Sequence, residues 1–186
     1  MLKSRPATKE DIRVLDGIYE FILSLELDIL KETGKEKFYK ILEECFVSEN
    51  DRFSYKYCDV IIQKEEILGF SFSYHYDNVV TARDYWFNHI VKKYNLSSNS
   101  IIFDYNEALP NELYLDTLYT FEQSRGLGVG TKLLKKFCEK TYPIKSLNVA
   151  QSNIRAKKLY ESFGFTKQGE IWIGHENYDH MILNNN

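Results

Sequence analysis

The sequence predicts a mixed α/β fold whose sheet is antiparallel at its start and at its end. Two strand-like segments near the start, 57–62 and 67–74, are separated by a short polar run and favour a hairpin. Two more strand-like segments, 166–173 and 178–183, lie near the end of the sequence, and helical patterns lie between the two pairs. This order differs from the regular alternation of a doubly wound fold.

The first part of the sequence predicts a short edge strand at 2–6 and then two helices. Thr8 with Asp11 three residues later resembles a capping box, so a helix should begin there and run to Gly34. The second helix is expected over 35–47, where four apolar residues share one face: Phe38, Ile41, Leu42 and Cys45. A third helical pattern covers 83–94.

A slip in the apolar pattern marks the strand expected at 112–120. Leu113 and Leu115 keep a period of two, but the next apolar position is Leu118, one residue late. Such a slip predicts a β-bulge. The later elements are a helix to about residue 140, a strand at 146–149 and a helix at 154–163.

Composition predicts one folded domain over 1–186. The chain has 44% hydrophobic and 15% aromatic residues, a balance that supports a sizeable core without disulfides. It shows neither a membrane-spanning run nor a signal-peptide pattern, so a cytoplasmic protein with no membrane partner is expected. The three cysteines lack CxxC spacing, which favours reduced thiols and no metal site.

Charge is distributed unevenly along the chain. The net charge is only −3, so no nucleic-acid partner is expected. Residues 123–186 carry 10 Lys or Arg against 5 Asp or Glu, and the rest of the chain carries 14 against 22. The pattern favours an anionic ligand in the C-terminal part and a cationic one in the N-terminal part. A solvated surface is the simpler alternative.

Three glycines, Gly126, Gly128 and Gly130, fall between the strand at 112–120 and the following amphipathic helix. Exposed amides at such a helix start form an anion cradle suited to a pyrophosphate, and Arg125 would add charge. A Walker loop is absent from the sequence. A dinucleotide fingerprint also fails, because Thr131 stands where its third glycine belongs.

A second motif begins 23 residues after Gly130, in Asn153-Ile-Arg-Ala156-Lys-Lys-Leu159-Tyr160-Glu-Ser-Phe-Gly164-Phe165. The two motifs, in this order and spacing, resemble those of the GNAT family of N-acetyltransferases. The resemblance is strong from about Glu112 onward, and the insert 74–111 does not map onto the family. It implies a mixed, mostly antiparallel sheet with splayed central strands, flanked by helices, and it implies acetyl-CoA as the cofactor.

The resemblance also implies which residues hold the cofactor. The bulged strand would offer main-chain groups to the pantetheine arm, the loop would bind the pyrophosphate, and Asn153 would hydrogen-bond the arm. The cofactor-binding residues expected in this way are Leu118, Tyr119, Thr120, Arg125, Gly126, Gly128, Gly130, Thr131 and Asn153.

Acetyl transfer from a thioester needs a neutral amine and a proton for the leaving thiolate. The resemblance puts Tyr160 near the sulfur as the acid, although packing on a helix face is the simpler use of this side chain. Asp116 is the candidate second catalytic residue, with a role in binding a cationic substrate or capping a neighbour as the alternative. Some relatives carry a glutamate base where this chain has Asn148, so a water chain or prior deprotonation of the amine also stays open.

Acceptor contacts are expected from the end of the chain. The aromatic segments 70–76 and 85–87 could also wall the acceptor site, but core packing is the favoured use of most of their rings. His175, Tyr178 and His180 form an aromatic, titratable group, with Tyr178 and His180 on one strand face and His175 on the other. An exposed hairpin is the alternative for this group. The helices within 9–48 would form one side of the acceptor cleft.

The sequence therefore predicts an acetyl-CoA-dependent N-acetyltransferase that acts on a small-molecule primary amine by direct transfer, with no metal. A homodimer is the candidate assembly. A protein or peptide N-terminus is the second acceptor, and an open groove between 20–50 and 170–183 would favour it. A non-catalytic acyl-CoA-binding domain and a nucleotide-binding oxidoreductase are the rival classes.

Overall fold

A seven-stranded mixed sheet forms the centre of the computed structural model, which describes residues 1–184. The strands are β1 (Lys3–Pro6), β2 (Cys58–Gln63), β3 (Glu66–His75), β4 (Leu113–Thr120), β5 (Ile144–Ala150), β6 (Thr166–Ile173) and β7 (Glu176–Asn184). Their order is β1-β2-β3-β4-β5-β7-β6, and all neighbours are antiparallel except β4 and β5. The predicted fold class is confirmed.

Helices flank this sheet. They are α1 (Arg13–Ser24), α2 (Asp28–Val47), α3 (Asp77–Tyr85), α4 (Val91–Lys93), α5 (Val129–Cys138) and α6 (Ile154–Ser162), and a π-helical turn (Trp86–Ile90) joins α3 to α4. The predicted boundary at Gly34 is confirmed, because Gly34 adopts a non-helical φ of 67° and ψ of 175° and divides α2 into two helical segments. The first predicted helix has one further break: Glu26 adopts a left-handed φ of 53° and separates α1 from α2. Glutamate is a good helix former, so the residue type at position 26 does not predict the break between α1 and α2.

The turn between β2 and β3 closes the predicted hairpin in two residues. Lys64 and Glu65 both have positive φ, 49° and 65°. Two consecutive positive φ angles are the mark of a type I′ turn, whose twist matches that of the flanking strands. Burial of β2 and β3 against the helices offsets the strain of placing side chains in this conformation.

The core has two main parts, one on each face of the sheet. On the first face, α1 and α2 pack over β3 with these buried residues among others: Val14, Ile18, Ile22, Phe38, Ile41, Leu42, Phe70 and Phe72. On the second face, α5 and α6 cover a smaller cluster that includes Leu115, Leu134, Phe137, Leu147, Phe165 and Met181. None of the helices in the described part of the chain has the length and apolar character needed to cross a membrane.

Two irregularities of β4 position the functional site. Phe72 pairs with Thr117 but Ser73 pairs with Leu115, so Asp116 is the extra residue of the predicted bulge. Pairing of β4 with β5 covers three positions and ends at Leu115 and Leu147. Beyond that pair the two strands separate and open a split in the sheet.

Candidate functional site

The glycine loop leaves its backbone accessible. Gly126 and Gly128 have φ of 81° and 80°, and a Cβ built on either would meet no atom within 4 Å. The first hydrogen bond of α5 runs from the Lys132 amide to the Gly128 carbonyl at 3.0 Å, so the amides before Lys132 point out of the helix end. Open backbone, outward amides and the positive end of the helix dipole fit a phosphate group.

A groove of about 510 Å³ continues from this loop along α5. It is lined by Ser4, Gly128, Thr131, Lys132, Lys135, Lys136 and Glu139. The Lys132 ammonium donates to the Leu2 carbonyl at 2.6 Å and ties β1 to the helix. Lys135 and Lys136 add positive charge beside the phosphate cradle, as the uneven charge distribution led us to expect.

The outer half of β4 runs beside the split. Leu118 and Thr120 face α5, and a Cβ on Gly130 would lie 3.5 Å from Leu118 and 3.7 Å from Thr120. Tyr119 faces α1, where it stacks on Phe70 and donates to Glu20. On one edge these three residues pair with β3. Their other edge lies past the end of the β4–β5 pairing, so their main-chain groups there face the split.

Two residues of the second motif lie on α6. Asn153 caps the helix, because its Oδ1 accepts the Ala156 amide at 3.1 Å, and its NH₂ group remains available as a donor. Tyr160 packs edge-on against Phe165 and against the core on this face. Burial raises the pKa of Tyr160 to about 12, so the phenol keeps its proton at neutral pH.

A cavity of about 100 Å³ lies on the opposite face, at the split. Its walls are formed by Phe21, Leu25, Phe103, Glu107, Tyr114, Asp116, Asn148, Ile173 and Tyr178. Asp116 and Asn148 are the first residues of β4 and β5 beyond their last pair. The cavity therefore sits where the sheet opens.

Asp116 is bound tightly inside this wall. Arg52 donates from Nε and Nη2 to Asp116 Oδ2 at 2.9 and 2.6 Å, and the Tyr74 hydroxyl donates to the same oxygen at 2.7 Å. The side chains of Arg52 and Asp116 are 4% and 3% exposed. A buried guanidinium held by two hydrogen bonds compensates the charge of a carboxylate, so this arrangement suits Asp116 to organising charge in the cavity wall. Its catalytic role stays a prediction.

Glu107 is a second carboxylate of the cavity, and the sequence analysis missed it because it lies in the unmapped insert. Its Oε2 accepts from the Tyr114 hydroxyl at 3.1 Å and from Arg52 at 3.3 Å. The pKa of Glu107 is raised to about 7, because burial and the Asp116 charge raise it by more than Arg52 and Tyr114 lower it. Glu107 thus changes protonation near neutral pH.

The three candidate acceptor contacts near the end of the chain, His175, Tyr178 and His180, lie in three different environments. Tyr178 lines the cavity beside Asp116. His180 is buried behind it, with Nδ1 2.8 Å from Asn148 and Nε2 3.0 Å from Glu112. His175 is exposed in the turn between β6 and β7 and does not line the cavity. Tyr178 and His180 therefore share one face of β7, as predicted, but only Tyr178 reaches the cavity surface.

Two further polar residues at or near the cavity, Glu112 and Asn148, are held by hydrogen bonds within the protein. Burial alone would raise the pKa of Glu112, but hydrogen bonds from His180, Ser146 and the Leu109 amide outweigh it and lower that pKa. Asn148, at the position of the relatives' glutamate, donates from Nδ2 to the Glu107 carbonyl at 3.0 Å. It thereby fixes the loop that carries Glu107.

The two aromatic segments contribute mainly to the core, which was the favoured prediction for most of their rings. Phe70, Phe72 and Trp86 are buried in the core of the first face. Sheet pairing and the π-helical turn direct them inward. Phe21 and Leu25, near the end of α1, supply the wall, which agrees with a cleft side built by the first helices.

Comparison with known proteins agrees with both motifs. The model of the acetyltransferase (GNAT) domain matches residues 43–167. A solved structure described as an acetyltransferase is similar with 31% identity and a TM-score of 0.86, and 98% of each chain is covered. An N-acetyltransferase from Staphylococcus aureus Mu50 is similar with 28% identity and a TM-score of 0.85, over 97% of this chain and 100% of that one.

A curated relative matches over a shorter stretch. It is the spermine/spermidine N(1)-acetyltransferase of Bacillus subtilis (strain 168), which is 32% identical over an alignment of 78 residues. The match covers 37% of this chain and 49% of the relative. The match thus spans about half the length of that relative.

Proposed function

Because the chain belongs to the GNAT family of acetyltransferases, whose members are N-acetyltransferase enzymes, we propose that it transfers the acetyl group of acetyl-CoA to the primary amine of a small molecule. One observation carries the proposal. The glycine loop directly follows β4, and the cavity lies at the split that begins at Asp116 of the same strand. A phosphate cradle and an acceptor cavity therefore share one strand.

Acetyltransferases of this family use acetyl-CoA, and the residues present fit it. The outward amides at Gly128 and Thr131 would hold the pyrophosphate, with Gly126, Gly130 and Arg125 around it. Main-chain groups of 118–120 and the free NH₂ group of Asn153 would bind the pantetheine arm. When bound, the cofactor supplies an acetyl group activated as a thioester.

The chemistry left to the protein is proton movement and orientation. A neutral amine must face the carbonyl carbon, and the departing sulfur must gain a proton. Tyr160 keeps its proton at neutral pH and would give it to the thiolate. Asp116 and Arg52 would provide a fixed charge pair beside the amine.

The bulky walls of the cavity support a small acceptor. Phe21 and Leu25, at the end of α1, and Ile173 and Tyr178, of the terminal hairpin, line one partly open cavity of about 100 Å³. An open groove without such walls would favour a peptide N-terminus instead. The spermine/spermidine N(1)-acetyltransferase match adds polyamines to the first amines to screen.

Thermal unfolding with acetyl-CoA, CoA and NAD tests the cofactor assignment. A ligand that binds only the native state raises the unfolding midpoint by mass action. We expect both CoA species to raise it and NAD to leave it unchanged. CoA release is then followed with spermidine, 1,4-diaminobutane and a short peptide carrying a free N-terminus. Absence of any shift with both CoA species would refute the proposal, and turnover of the peptide alone would reassign the acceptor.

A further inference from the structure

We propose that Glu107 is the general base of the reaction and takes a proton from the ammonium form of the acceptor amine inside the cavity at the split. The inference rests on the proposed function and adds a residue that lies in the loop before β4. It also names the form in which the substrate arrives, a primary ammonium ion.

Geometry favours Glu107. It lines the cavity, and only 6% of the residue is exposed. Its Oε2 is engaged by Tyr114 and Arg52, but its buried Oε1 has no hydrogen-bond partner within residues 1–184. A buried carboxylate oxygen without a donor is costly, and an ammonium N–H in the cavity would satisfy it.

The charges around the cavity call for a cation. Arg52 lies 2.6 Å from Asp116 and 3.3 Å from Glu107, so a single guanidinium serves two carboxylates and is closer to Asp116. With both carboxylates ionised, the buried cluster carries one excess negative charge. A substrate ammonium would compensate that charge at Glu107, which is the less closely paired of the two.

Glu107 is also the group of this cluster that titrates near neutral pH. Among the described residues, its electrostatic partners include Arg52, Tyr74, Tyr114, Asp116 and Tyr178. Burial raises the pKa of all three tyrosines, so they stay neutral, and Arg52 and Asp116 compensate each other. The pKa of Glu107, raised to about 7, suits a base that must both gain and release a proton.

Two neighbouring titratable residues, Glu112 and His180, are less suitable than Glu107 as the general base. Both oxygens of Glu112 accept hydrogen bonds, from His180, Ser146 and the Leu109 amide. Both ring nitrogens of His180 are engaged by Asn148 and Glu112, and the ring does not line the cavity.

The proton balance is as follows. An N–H bond of the ammonium breaks, an O–H bond forms on Glu107, and the nitrogen regains its lone pair. That pair attacks the carbonyl carbon of the thioester, the C–S bond breaks, and the thiolate takes the proton of Tyr160. The second nitrogen proton returns to Tyr160 through solvent, and Glu107 releases its proton to solvent. The products are an amide, the thiol of CoA and one proton.

The variant Glu107→Gln tests this role while keeping the shape of the side chain and an acceptor for Tyr114. With 1,4-diaminobutane at pH 7 we expect kcat/KM to fall by about 10²- to 10⁴-fold. The acidic limb of the wild-type pH profile, with a midpoint near 7, should disappear. The increase in unfolding midpoint with acetyl-CoA should persist.

Asp51→Asn is the matched control. Asp51 is also buried, and burial raises its pKa to about 6, but it does not line the cavity. This variant should keep the acidic limb. Survival of the limb in Glu107→Gln, or its loss in Asp51→Asn, would overturn the proposal.

Carbon-13 NMR of labelled glutamate carboxyls gives a readout that does not depend on turnover. One resonance, missing from Glu107→Gln, should titrate near pH 7 and move when 1,4-diaminobutane is added. If that resonance moves while no amine supports CoA release, the ammonium site stands and the proposed transfer fails. If it does not respond to the amine, Glu107 is not the base.

Discussion

Tyr160 illustrates how burial prepares a proton donor. Its side chain packs against the second core cluster, and the pKa, raised by burial to about 12, preserves the neutral phenol. We expect Tyr160→Phe to lower kcat by about 10²- to 10⁴-fold, because the thiolate then leaves without its proton. Acetyl-CoA should raise the unfolding midpoint as in the wild type.

Tyr76→Phe serves as the control for that variant, since Tyr76 is a partly buried tyrosine near α3. It should retain wild-type turnover. Equal activity in Tyr160→Phe and the wild type would remove Tyr160 from the acid role. If neither protein releases CoA with any amine but both bind acetyl-CoA, the non-catalytic alternative would be favoured.

The residues that escaped sequence analysis are those whose function depends on distant contacts. Arg52 meets Asp116 across 64 positions and Glu107 across 55, and no local pattern signals either pairing. Asp116 was predicted because it lies on the bulged strand of a known motif. Glu107 lies in an insert without such a motif, so only the folded chain brings it to the cavity.

At the scale of elements, the start of α5 provides the cleanest test of the phosphate cradle. Gly128 and Gly174 both have positive φ and open space around a built Cβ. Alanine at either position should therefore cost a similar free energy of unfolding, about 1–2 kcal/mol. Only Gly128→Ala should also reduce the increase in unfolding midpoint that acetyl-CoA produces, because its methyl group enters the cradle.

Titrations of the unfolding midpoint with acetyl-CoA, performed on both glycine variants, check this expectation. The comparison removes the effect of backbone strain. Equal responses to acetyl-CoA in the two variants would mean that the phosphate lies elsewhere.

Element predictions succeeded where the local pattern had a single physical cause. The period slip at Leu118 predicted the bulge, since one extra residue reverses the inward side of a strand. The break at Glu26 was missed, because tertiary packing of α1 against α2 imposes a left-handed residue where propensity favours a helix.

For the whole molecule, buried Glu107 should make stability depend on pH. Its pKa in the folded protein exceeds the ordinary glutamate value, so the folded state binds this proton more tightly than the unfolded state does. The resulting stabilisation is present at low pH and is lost as pH rises toward 7. Urea unfolding at pH 5 and pH 7.5 should show the wild type losing about 1–3 kcal/mol relative to Glu107→Gln. A constant difference between the two proteins would contradict the raised pKa.

The overall architecture could be predicted because two short motifs, the glycine loop and the 153–165 segment, occur in the right order and spacing. The splayed strands followed from that resemblance and are present in the β4–β5 pairing. The cavity could not be predicted, since its walls come from the end of α1, the insert and four strands, β4 to β7. The single domain over 1–186 stays a prediction.

The order of strands also has a consequence for the way the chain folds during synthesis. β7 is the last strand to emerge, yet it lies between β5 and β6, and β6 pairs with β7 alone. The hairpin from β2 to β3 can form early, whereas β6 must remain unpaired until β7 leaves the ribosome. The half of the sheet beyond the split therefore closes last, and its exposed strand edges are the point at which a nascent chain is most open to aggregation.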